Sequence, residues 1–450
     1  MEYTKLGNTD IEVSKLCVGC MSFGKPGTLH DWTLDESGTE EIVKHALDLG
    51  INFFDTANGY SDGTSEEYLG NALRKNVSRD KVVIASKVYF NPGRLSSEAI
   101  HREIEGSLKR LGTDYLDLYI IHRFDYDTPI EETMEALNDL VISGKVRAIG
   151  ASAMYGYQFY NMQLAARDNG WAQFVAMENH YNLLYREDEH ELIPICRQMN
   201  VSLMPYSPLA AGHLTRPEWN SDSIRSKTDR AAMGKYDRTQ EQDMEIVRRV
   251  HQLAERNGVK MQQIALAWEW AKGVTAPIIG ATKASHFDDA AGAFSVKLTK
   301  EDIAFLEEPY EPHRIVGAVD SNPPEGTKLL DVKKDREEYA MSITMNLYYT
   351  GKDGNARKFA EEMEQSGTAA LIRSEEGNEK YEYFFPMNDP ETVLLIDSWK
   401  DQTSLDIHHG SPMMGTIADL REKYDLHMRA ERYVSDASGI SDADKKFIKE

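Results

Sequence analysis

Short apolar runs alternate with longer amphipathic segments over about the first 300 residues. The apolar runs are rich in β-branched or aromatic residues, which is typical of buried parallel strands. Eight of them are predicted as strands: Leu16–Val18, Asn52–Asp55, Val82–Ser86, Leu118–Ile121, Ala148–Gly150, Phe174–Ala176, Ser202–Met204 and Pro277–Ile279. Helical spacing between them predicts crossover helices at Glu40–Leu49, Ser65–Arg74, Ser96–Leu111, Ile130–Ser143, Tyr157–Asn169, Glu189–Met199 and Met261–Lys272.

Repeated β–α units that close on themselves predict a (β/α)8 TIM barrel for this part of the chain. Ahead of the first strand, Tyr3–Leu6 and Ile11–Lys15 predict a hairpin that plugs the N-terminal mouth of the barrel. An open doubly wound sheet is the alternative fold. Such a sheet normally carries a glycine-rich phosphate loop after its first strand, and residues 19–24 lack the G-x-G-x-x-G spacing.

A change of composition after Pro309 predicts a second domain. Proline and glycine become frequent there, and residues 331–338 are almost wholly charged, which is typical of a linker. The predicted domains are therefore the barrel at 1–318, a linker at 319–338 and a small α+β ferredoxin-like domain at 339–450. Its predicted strands are Met341–Tyr349, Glu379–Phe385, Thr392–Trp399 and Asp425–Val434, and its predicted helices are Ala356–Gln365, Gln402–His409 and Met413–Tyr424.

Charge and composition exclude several classes of function. The chain has 51 lysines and arginines against 74 aspartates and glutamates, a net charge of −23, which disfavours nucleic-acid binding. No apolar run is long enough to cross a membrane, and no signal peptide precedes the first strand, so a cytoplasmic location is predicted. Cys17, Cys20 and Cys196 do not complete a zinc pattern, so they are interpreted as reduced structural thiols, and no metal site is predicted.

Four polar side chains follow three neighbouring predicted strands, at the end of the barrel where active sites form. Asp55 ends the second strand, Tyr60 lies in the loop after it, Lys87 ends the third strand and His122 follows the fourth. Taken singly, such an aspartate is usually a turn cap and such a lysine is usually solvated. Because their strands are adjacent, we expect the four side chains to lie close together.

This combination of side chains suits the reduction of a carbonyl group. A neighbouring ammonium lowers the pKa of a phenol from its ordinary value near 10. We expect Lys87 to do this for Tyr60, with Asp55 keeping Lys87 charged and oriented. A histidine beside the phenol can donate a hydrogen bond to a substrate carbonyl, so the set can protonate an alkoxide as it forms.

The motifs around these residues resemble those of the aldo-keto reductases, from Leu6 to about Glu308. They are Gly19-x-Met21-x-Phe23-Gly24, Phe54-Asp55-Thr56-Ala57-x-x-Tyr60, Ser86-Lys87-Val88, Ile121-His122-Arg123 and Lys145-Val146-Arg147-Ala148-Ile149-Gly150. The resemblance implies that Asp55, Tyr60, Lys87 and His122 form a catalytic tetrad with Tyr60 as the proton donor. It also implies an NADP-dependent oxidoreductase that acts on a small-molecule aldehyde or ketone.

The same resemblance implies that a nicotinamide cofactor lies across the barrel mouth. The positions of Ser152 and Glu178 bind its carboxamide, and that of Tyr206 stacks on its ring. Lys283 and Ser285, at a predicted helix start, favour a phosphate and hence NADPH over NADH. The full set of implied cofactor-binding residues is Ser152, Glu178, Tyr206, Ser207, Leu209, Gly280, Lys283, Ser285, His286 and Asp289.

Two residues depart from the family pattern at the nicotinamide end of this set. Ala153 stands where asparagine is common, and Glu178 stands where glutamine is usual. A carboxylate accepts hydrogen bonds from the carboxamide NH2 group but cannot donate one to the carboxamide oxygen.

Residues 395–402 and 405–412 resemble the antibiotic biosynthesis monooxygenase domain, a small ferredoxin-like fold that usually dimerises through its sheet. The resemblance implies a homo-oligomer held by the C-terminal domain, which then has a dimerising or regulatory role. His408 and His409 point about 100° apart on a helix, so a helix-end or interface role is predicted for them. Two alternatives stay open: a redox-sensing, cofactor-binding subunit, and a bifunctional enzyme with quinol monooxygenase activity in its C-terminal domain.

Overall fold

The computed structural model describes residues 1–319 and 342–435. The chain divides into two compact units, Met1–Glu325 and Gly326–Glu450. Apart from Val319, the predicted linker at 319–338 lies outside the described residues. The first three residues of the small domain predicted to begin at 339, and the residues after Ser435, also lie outside them.

The first unit is built on a closed ring of eight parallel strands. Its strands are Cys17–Gly19 (β3), Phe53–Asp55 (β4), Val83–Val88 (β5), Leu116–Ile121 (β6), Val146–Ser152 (β7), Phe174–Glu178 (β8), Ser202–Leu203 (β9) and Ile278–Gly280 (β10). In order around the ring, the hydrogen-bonded neighbours are β10, β3, β4, β5, β6, β7, β8 and β9. The ring closes where the Ile278 amide donates to the Pro205 carbonyl at 3.0 Å and Tyr206 bridges to Ile278. The predicted (β/α)8 barrel is therefore confirmed.

Helices surround the ring, and each of the seven predicted helices has an observed counterpart. The helix Gln240–Asn257 was not predicted, although its buried residues Ile246, Val247, Val250 and Leu253 have helical spacing. The helices of this unit are Glu36–Asp48, Thr64–Asn76, Ser97–Leu111, Ile130–Ile142, Gly156–Asp168, Leu192–Gln198, Ile224–Thr228, Arg230–Tyr236, Gln240–Asn257, Met261–Ala271, Ser285–Gly292 and Lys300–Glu307.

The N-terminal hairpin consists of Tyr3–Lys5 (β1) and Glu12–Ser14 (β2). Leu6, Ile11 and Val13 of this hairpin belong to the same buried cluster as the inward-facing side chains of the barrel strands. Burial of each large apolar side chain contributes about 1.5–3 kcal/mol. The hairpin is therefore part of the barrel's inner core, which leaves the C-terminal ends of the strands for the loops that form a site.

The second unit contains a four-stranded antiparallel sheet with helices packed on it. Its strands are Ile343–Thr350 (β11), Asn378–Phe384 (β12), Thr392–Trp399 (β13) and His427–Val434 (β14), in the order β12-β13-β11-β14. Tyr349, Leu395 and Trp399 face a core shared with the helices, which are Asn355–Gln365, Thr368–Arg373, Gln402–His409 and Pro412–Lys423. The predicted ferredoxin-like α+β fold is confirmed. The short helix Thr368–Arg373 was not predicted.

Strand β14 lies at an edge of this sheet and is largely uncovered. Among the described residues it pairs with β11 alone, and Met428 and Val434 remain 43% and 48% exposed. Within residues 1–319 and 342–435, no helix has both the length and the apolar character needed to span a bilayer.

Candidate active site

The C-terminal ends of three consecutive barrel strands bring Asp55, Lys87 and His122 to one level. Asp55 ends β4, Lys87 is the next-to-last residue of β5, and His122 follows β6, where its amide donates to the Val88 carbonyl at 3.0 Å. Tyr60 begins a turn after β4 in which Ser61 adopts a left-handed conformation, with φ of 46°. Parallel pairing thus places these side chains at the barrel mouth.

The ammonium group of Lys87 is the centre of the cluster. Its Nζ donates to Asp55 Oδ2 at 2.5 Å, to the Thr56 carbonyl at 3.0 Å and to Tyr60 Oη at 3.3 Å. Burial lowers the pKa of Lys87, but the carboxylates of Asp55 and Glu178 outweigh that effect and hold the pKa well above its ordinary value. Lys87 therefore carries a positive charge beside the phenol oxygen.

Burial raises the pKa of Tyr60 above its ordinary value, and Lys87 opposes the shift only in part. The expectation of a lowered phenol pKa was therefore wrong in sign, because excluding water from the phenolate destabilises it more than one ammonium stabilises it. The consequence is that Tyr60 keeps its proton at neutral pH.

The imidazole of His122 lies edge-on to Tyr60, with ring centroids 5.7 Å apart, and 4.9 Å from the ring centroid of Phe90. Burial, with Lys87 and Arg123, holds the pKa of His122 well below its ordinary value, so the ring is neutral. A neutral imidazole offers one N–H donor and one lone pair. Its Nδ1 atom is buried and has no hydrogen-bond partner among the described residues.

Glu178 brings a second carboxylate to Lys87 from the opposite part of the ring. It ends β8, and its Oε2 lies 3.4 Å from Lys87 Nζ. Burial and the charge of Asp55 raise the pKa of Glu178 to about 8. Ser152, at the end of β7, donates its hydroxyl hydrogen to the Glu178 carbonyl at 2.9 Å. The contact between Glu178 and Lys87 was not expected from the sequence.

Tyr206 lies beyond β9 in a group of aromatic rings. It stacks on His180 with ring centroids 5.3 Å apart and an interplanar angle of 8°, and Lys235 Nζ lies 4.7 Å from its centroid. His180 Nε2 is 2.7 Å from Tyr236 Oη. His180 was not predicted as a site residue, although it lies in the loop just after β8.

Ser207 and Leu209 continue this loop. Ser207 has a left-handed φ of 57°, and its carbonyl accepts a hydrogen bond from Asn182 Nδ2 at 2.9 Å. Leu209 is half-buried and precedes the turn Ala210–Thr215.

The residues implied in phosphate binding lie after β10. Gly280 ends that strand, and a helix begins at Ser285, with Lys283 exposed just before it. Asp289 forms an ion pair with Lys260 at 2.6 Å. Burial, with Lys283, lowers the pKa of His286. Lys283 and Ser285 therefore stand at a helix N-terminus, a position that favours an anion.

The residues at the mouth fit a nicotinamide group. Glu178 Oε2 and Asn179 Oδ1 are buried without a hydrogen-bond partner of normal geometry among the described residues, and Tyr206 supplies an aromatic ring beside them. In the described parts of the chain, no group of three or more His, Cys, Asp or Glu side chains could hold a metal ion. Glu178 Oε2 and Asn179 Oδ1 are acceptor oxygens, which match the N–H donors of a carboxamide.

Comparison with known proteins finds two family matches. The sequence profile of the aldo/keto reductase family matches residues 15–311, and that of antibiotic biosynthesis monooxygenase matches residues 342–420. The chain is 41% identical over 340 residues to versiconal hemiacetal acetate reductase of Aspergillus parasiticus, covering 70% of this chain and 98% of that protein. It is 44% identical over 350 residues to a putative aryl-alcohol dehydrogenase of Schizosaccharomyces pombe, with coverage of 70% and 98%.

Among solved structures, the chain is similar to a thermostable aldo-keto reductase in complex with the inhibitor epalrestat. The TM-score is 0.57 and the sequence identity 28%, and the match covers 69% of this chain and 100% of that one.

Proposed function

The chain belongs to the aldo/keto reductase family and also carries an antibiotic biosynthesis monooxygenase domain, and on this premise we propose that its barrel reduces an aldehyde or ketone to an alcohol with NADPH. The family establishes an oxidoreductase. The single observation that carries the finer proposal is the contact of Lys87 Nζ with both Asp55 and Tyr60 Oη, at 2.5 and 3.3 Å.

Each member of the tetrad has a separate task in this proposal. NADPH, when bound, supplies the hydride. Neutral His122 donates a hydrogen bond to the carbonyl oxygen, which polarises it, and the Tyr60 hydroxyl gives its proton to the alkoxide as that charge forms. Lys87 stabilises the resulting phenolate, and Asp55 holds Lys87 in place. Because burial raises the pKa of Tyr60, the phenol keeps its proton until an oxygen more basic than phenolate develops beside it.

The residues that would hold NADPH lie on the later strand ends. We propose that Ser152, Glu178 and Tyr206 hold the nicotinamide group, and that Lys283 and Ser285 hold a phosphate of the adenosine end. The preference for NADPH over NADH is supported by the exposed Lys283, a point charge at a helix start. Ser207, Leu209, Gly280, His286 and Asp289 complete the proposed cofactor contacts.

Aromatic aldehydes are the substrate class that we propose to test first. One relative is named a putative aryl-alcohol dehydrogenase. At the mouth, Phe90 is 51% exposed and lies 4.9 Å from the ring centroid of His122, where it can pack against an aromatic substrate.

The test measures the loss of NADPH absorbance with a panel of aromatic and aliphatic aldehydes. We expect turnover that Tyr60→Phe lowers by about 10²–10⁴-fold, the usual contribution of a general acid, with NADPH binding retained. Lys283→Ala should weaken NADPH more than NADH. Tight NADPH binding without turnover of any carbonyl would instead favour the redox-sensing subunit.

We propose that the C-terminal domain holds two copies of the chain together. The uncovered edge strand β14 supports this, since exposed edge strands tend to pair with another chain. Sedimentation should show a dimer, which Met428→Arg on β14 converts to a monomer. Leu371→Arg, at an exposed apolar residue of the helix Thr368–Arg373, is the matched control and should leave the dimer intact. Oxygen uptake by the full chain with a quinol would favour the bifunctional alternative.

A further inference from the structure

Two buried carboxylates share one ammonium at the barrel mouth. Asp55 Oδ2 lies 2.5 Å from Lys87 Nζ, and Glu178 Oε2 lies 3.4 Å from the same atom. The two acids are only 2% and 4% exposed, and Lys87 is fully buried. Water therefore cannot solvate a carboxylate whose negative charge Lys87 does not balance.

The charges of this cluster balance only if one acid carries a proton. With Tyr60 and His122 neutral, two carboxylates and one ammonium leave one net negative charge, and burying an unpaired charge is strongly unfavourable. Asp55 has the shorter contact and hydrogen-bonds the ammonium directly. Asp55 therefore keeps the negative charge, and the proton resides on Glu178.

The surroundings of Glu178 favour this state. Burial and the negative charge of Asp55 on β4 raise the pKa of Glu178, whereas Lys87 on β5 lowers it. The first two effects together are larger, so the pKa of Glu178 is raised. The other titratable groups that interact with Glu178, all neutral at pH 7, are Cys17 on β3, Tyr60 and Tyr206. Among the described charged groups that act on Glu178, Lys87 is the one that stabilises its anion.

Protonated Glu178 can act as a hydrogen-bond donor at the cofactor site. A carboxylic acid has one O–H donor and one acceptor oxygen, as a glutamine amide has an N–H donor and an acceptor. The neighbouring Ser152 cannot supply the donor, because its hydroxyl hydrogen is already given to the Glu178 carbonyl at 2.9 Å.

We propose that Glu178 holds the single proton of the Asp55–Lys87–Glu178 cluster and uses it to donate a hydrogen bond to the nicotinamide carboxamide oxygen, so that cofactor affinity falls as this proton is lost. This inference rests on the proposed function, because it deepens the role of the cofactor site.

The test is the pH dependence of NADPH binding, followed by quenching of protein fluorescence between about pH 6 and 10. In the wild-type protein, Kd should be constant below the pKa of Glu178, about 8, and should rise with pH above it. The limiting slope for loss of one proton is about tenfold per pH unit. Glu178→Gln should bind NADPH with a Kd that does not change over this range. Glu269→Gln, at a buried glutamate of the helix Met261–Ala271, is the control and should keep the wild-type profile.

A second measurement needs no cofactor. The infrared difference spectrum between the wild-type protein and Glu178→Gln at neutral pH should contain the carbonyl band of one protonated carboxylic acid. A difference spectrum that contains a carboxylate band and no acid band would overturn the inference. A wild-type Kd for NADPH that stays constant up to about pH 10 would also overturn it. Either result would leave the proposed function standing. A protein that shows the acid band but does not bind NADPH would overturn the proposed function instead.

Discussion

Glu269 provides a test of burial energetics in the barrel. It lies in the helix Met261–Ala271, it is 0% exposed, and neither of its carboxyl oxygens has a hydrogen-bond partner within the described residues. Burial holds its pKa well above the ordinary value. The folded protein therefore keeps a neutral acid at a position where the unfolded chain exposes an ionised one.

The sign of the effect follows from proton binding. Above about pH 4.5 the folded state binds a proton at Glu269 that the unfolded state has released, so the free energy of unfolding falls as pH rises. The slope is about 1.4 kcal/mol per pH unit, which accumulates to about 3 kcal/mol by pH 7. Stability from this group is fully present only below the unfolded pKa and is lost progressively up to the folded one.

We expect Glu269→Gln to remove this slope. The variant should match the wild-type protein to within about 1 kcal/mol at pH 5 and should exceed it by about 3 kcal/mol at pH 7. Scanning calorimetry of the barrel transition should show a gain in Tm of about 6 °C at pH 7. The burial argument fails if the difference in Tm between variant and wild type is the same at pH 5 and pH 8.

A second buried glutamate provides the matched control. Glu66 is also 0% exposed, but it accepts hydrogen bonds from Arg110 at 2.6 Å and from Ser86 at 2.5 Å. Glu66→Gln breaks a buried ion pair, so it should lower stability by about 3 kcal/mol or more. The two substitutions are chemically identical, and their opposite effects on the free energy of unfolding depend only on the hydrogen-bond partners of each carboxylate.

Two further predictions concern the barrel mouth. Ala153 has a left-handed φ of 48°, which disfavours alanine by about 1 kcal/mol relative to glycine, so Ala153→Gly should raise the urea midpoint; an unchanged or lower midpoint would show that the strain is not relieved. Lys87→Met removes the cation beside Tyr60, so carbonyl turnover should fall by about 10²-fold or more in the NADPH oxidation assay. Wild-type turnover in that variant would contradict the role given to the ammonium.

Chain order explains why part of the site could be predicted. Asp55, Lys87 and His122 follow strands that are consecutive in sequence and adjacent in the ring, so a strand assignment alone brings them together. The loop between β4 and Tyr60 is short, so the Tyr60 side chain remains close to those of Asp55, Lys87 and His122. The apolar runs and the helical spacing between them extend over enough of the chain for the barrel and the small α+β domain to be predicted from the sequence alone.

Contacts across the barrel could not be predicted in this way. Lys87 is on β5 and Glu178 is on β8, and their distance of 3.4 Å depends on the width of the closed ring. The sign of the pKa shift at Tyr60 depends on how much water the loops exclude, which the sequence pattern does not indicate. The contact of Lys235 with Tyr206 depends on a segment of short helices between β9 and β10. The cytoplasmic location and the domain limits stay predictions.

Transfer of deuterium from NADPH that carries deuterium at both C4 positions of its nicotinamide ring to an aromatic aldehyde tests the central claim most directly. The account predicts an alcohol with one deuterium on its carbinol carbon, found by mass spectrometry, and a rate of formation that Tyr60→Phe lowers by about 10²–10⁴-fold. Labelled cofactor that is oxidised without deuterium in the alcohol, or an unchanged rate in Tyr60→Phe, would contradict it.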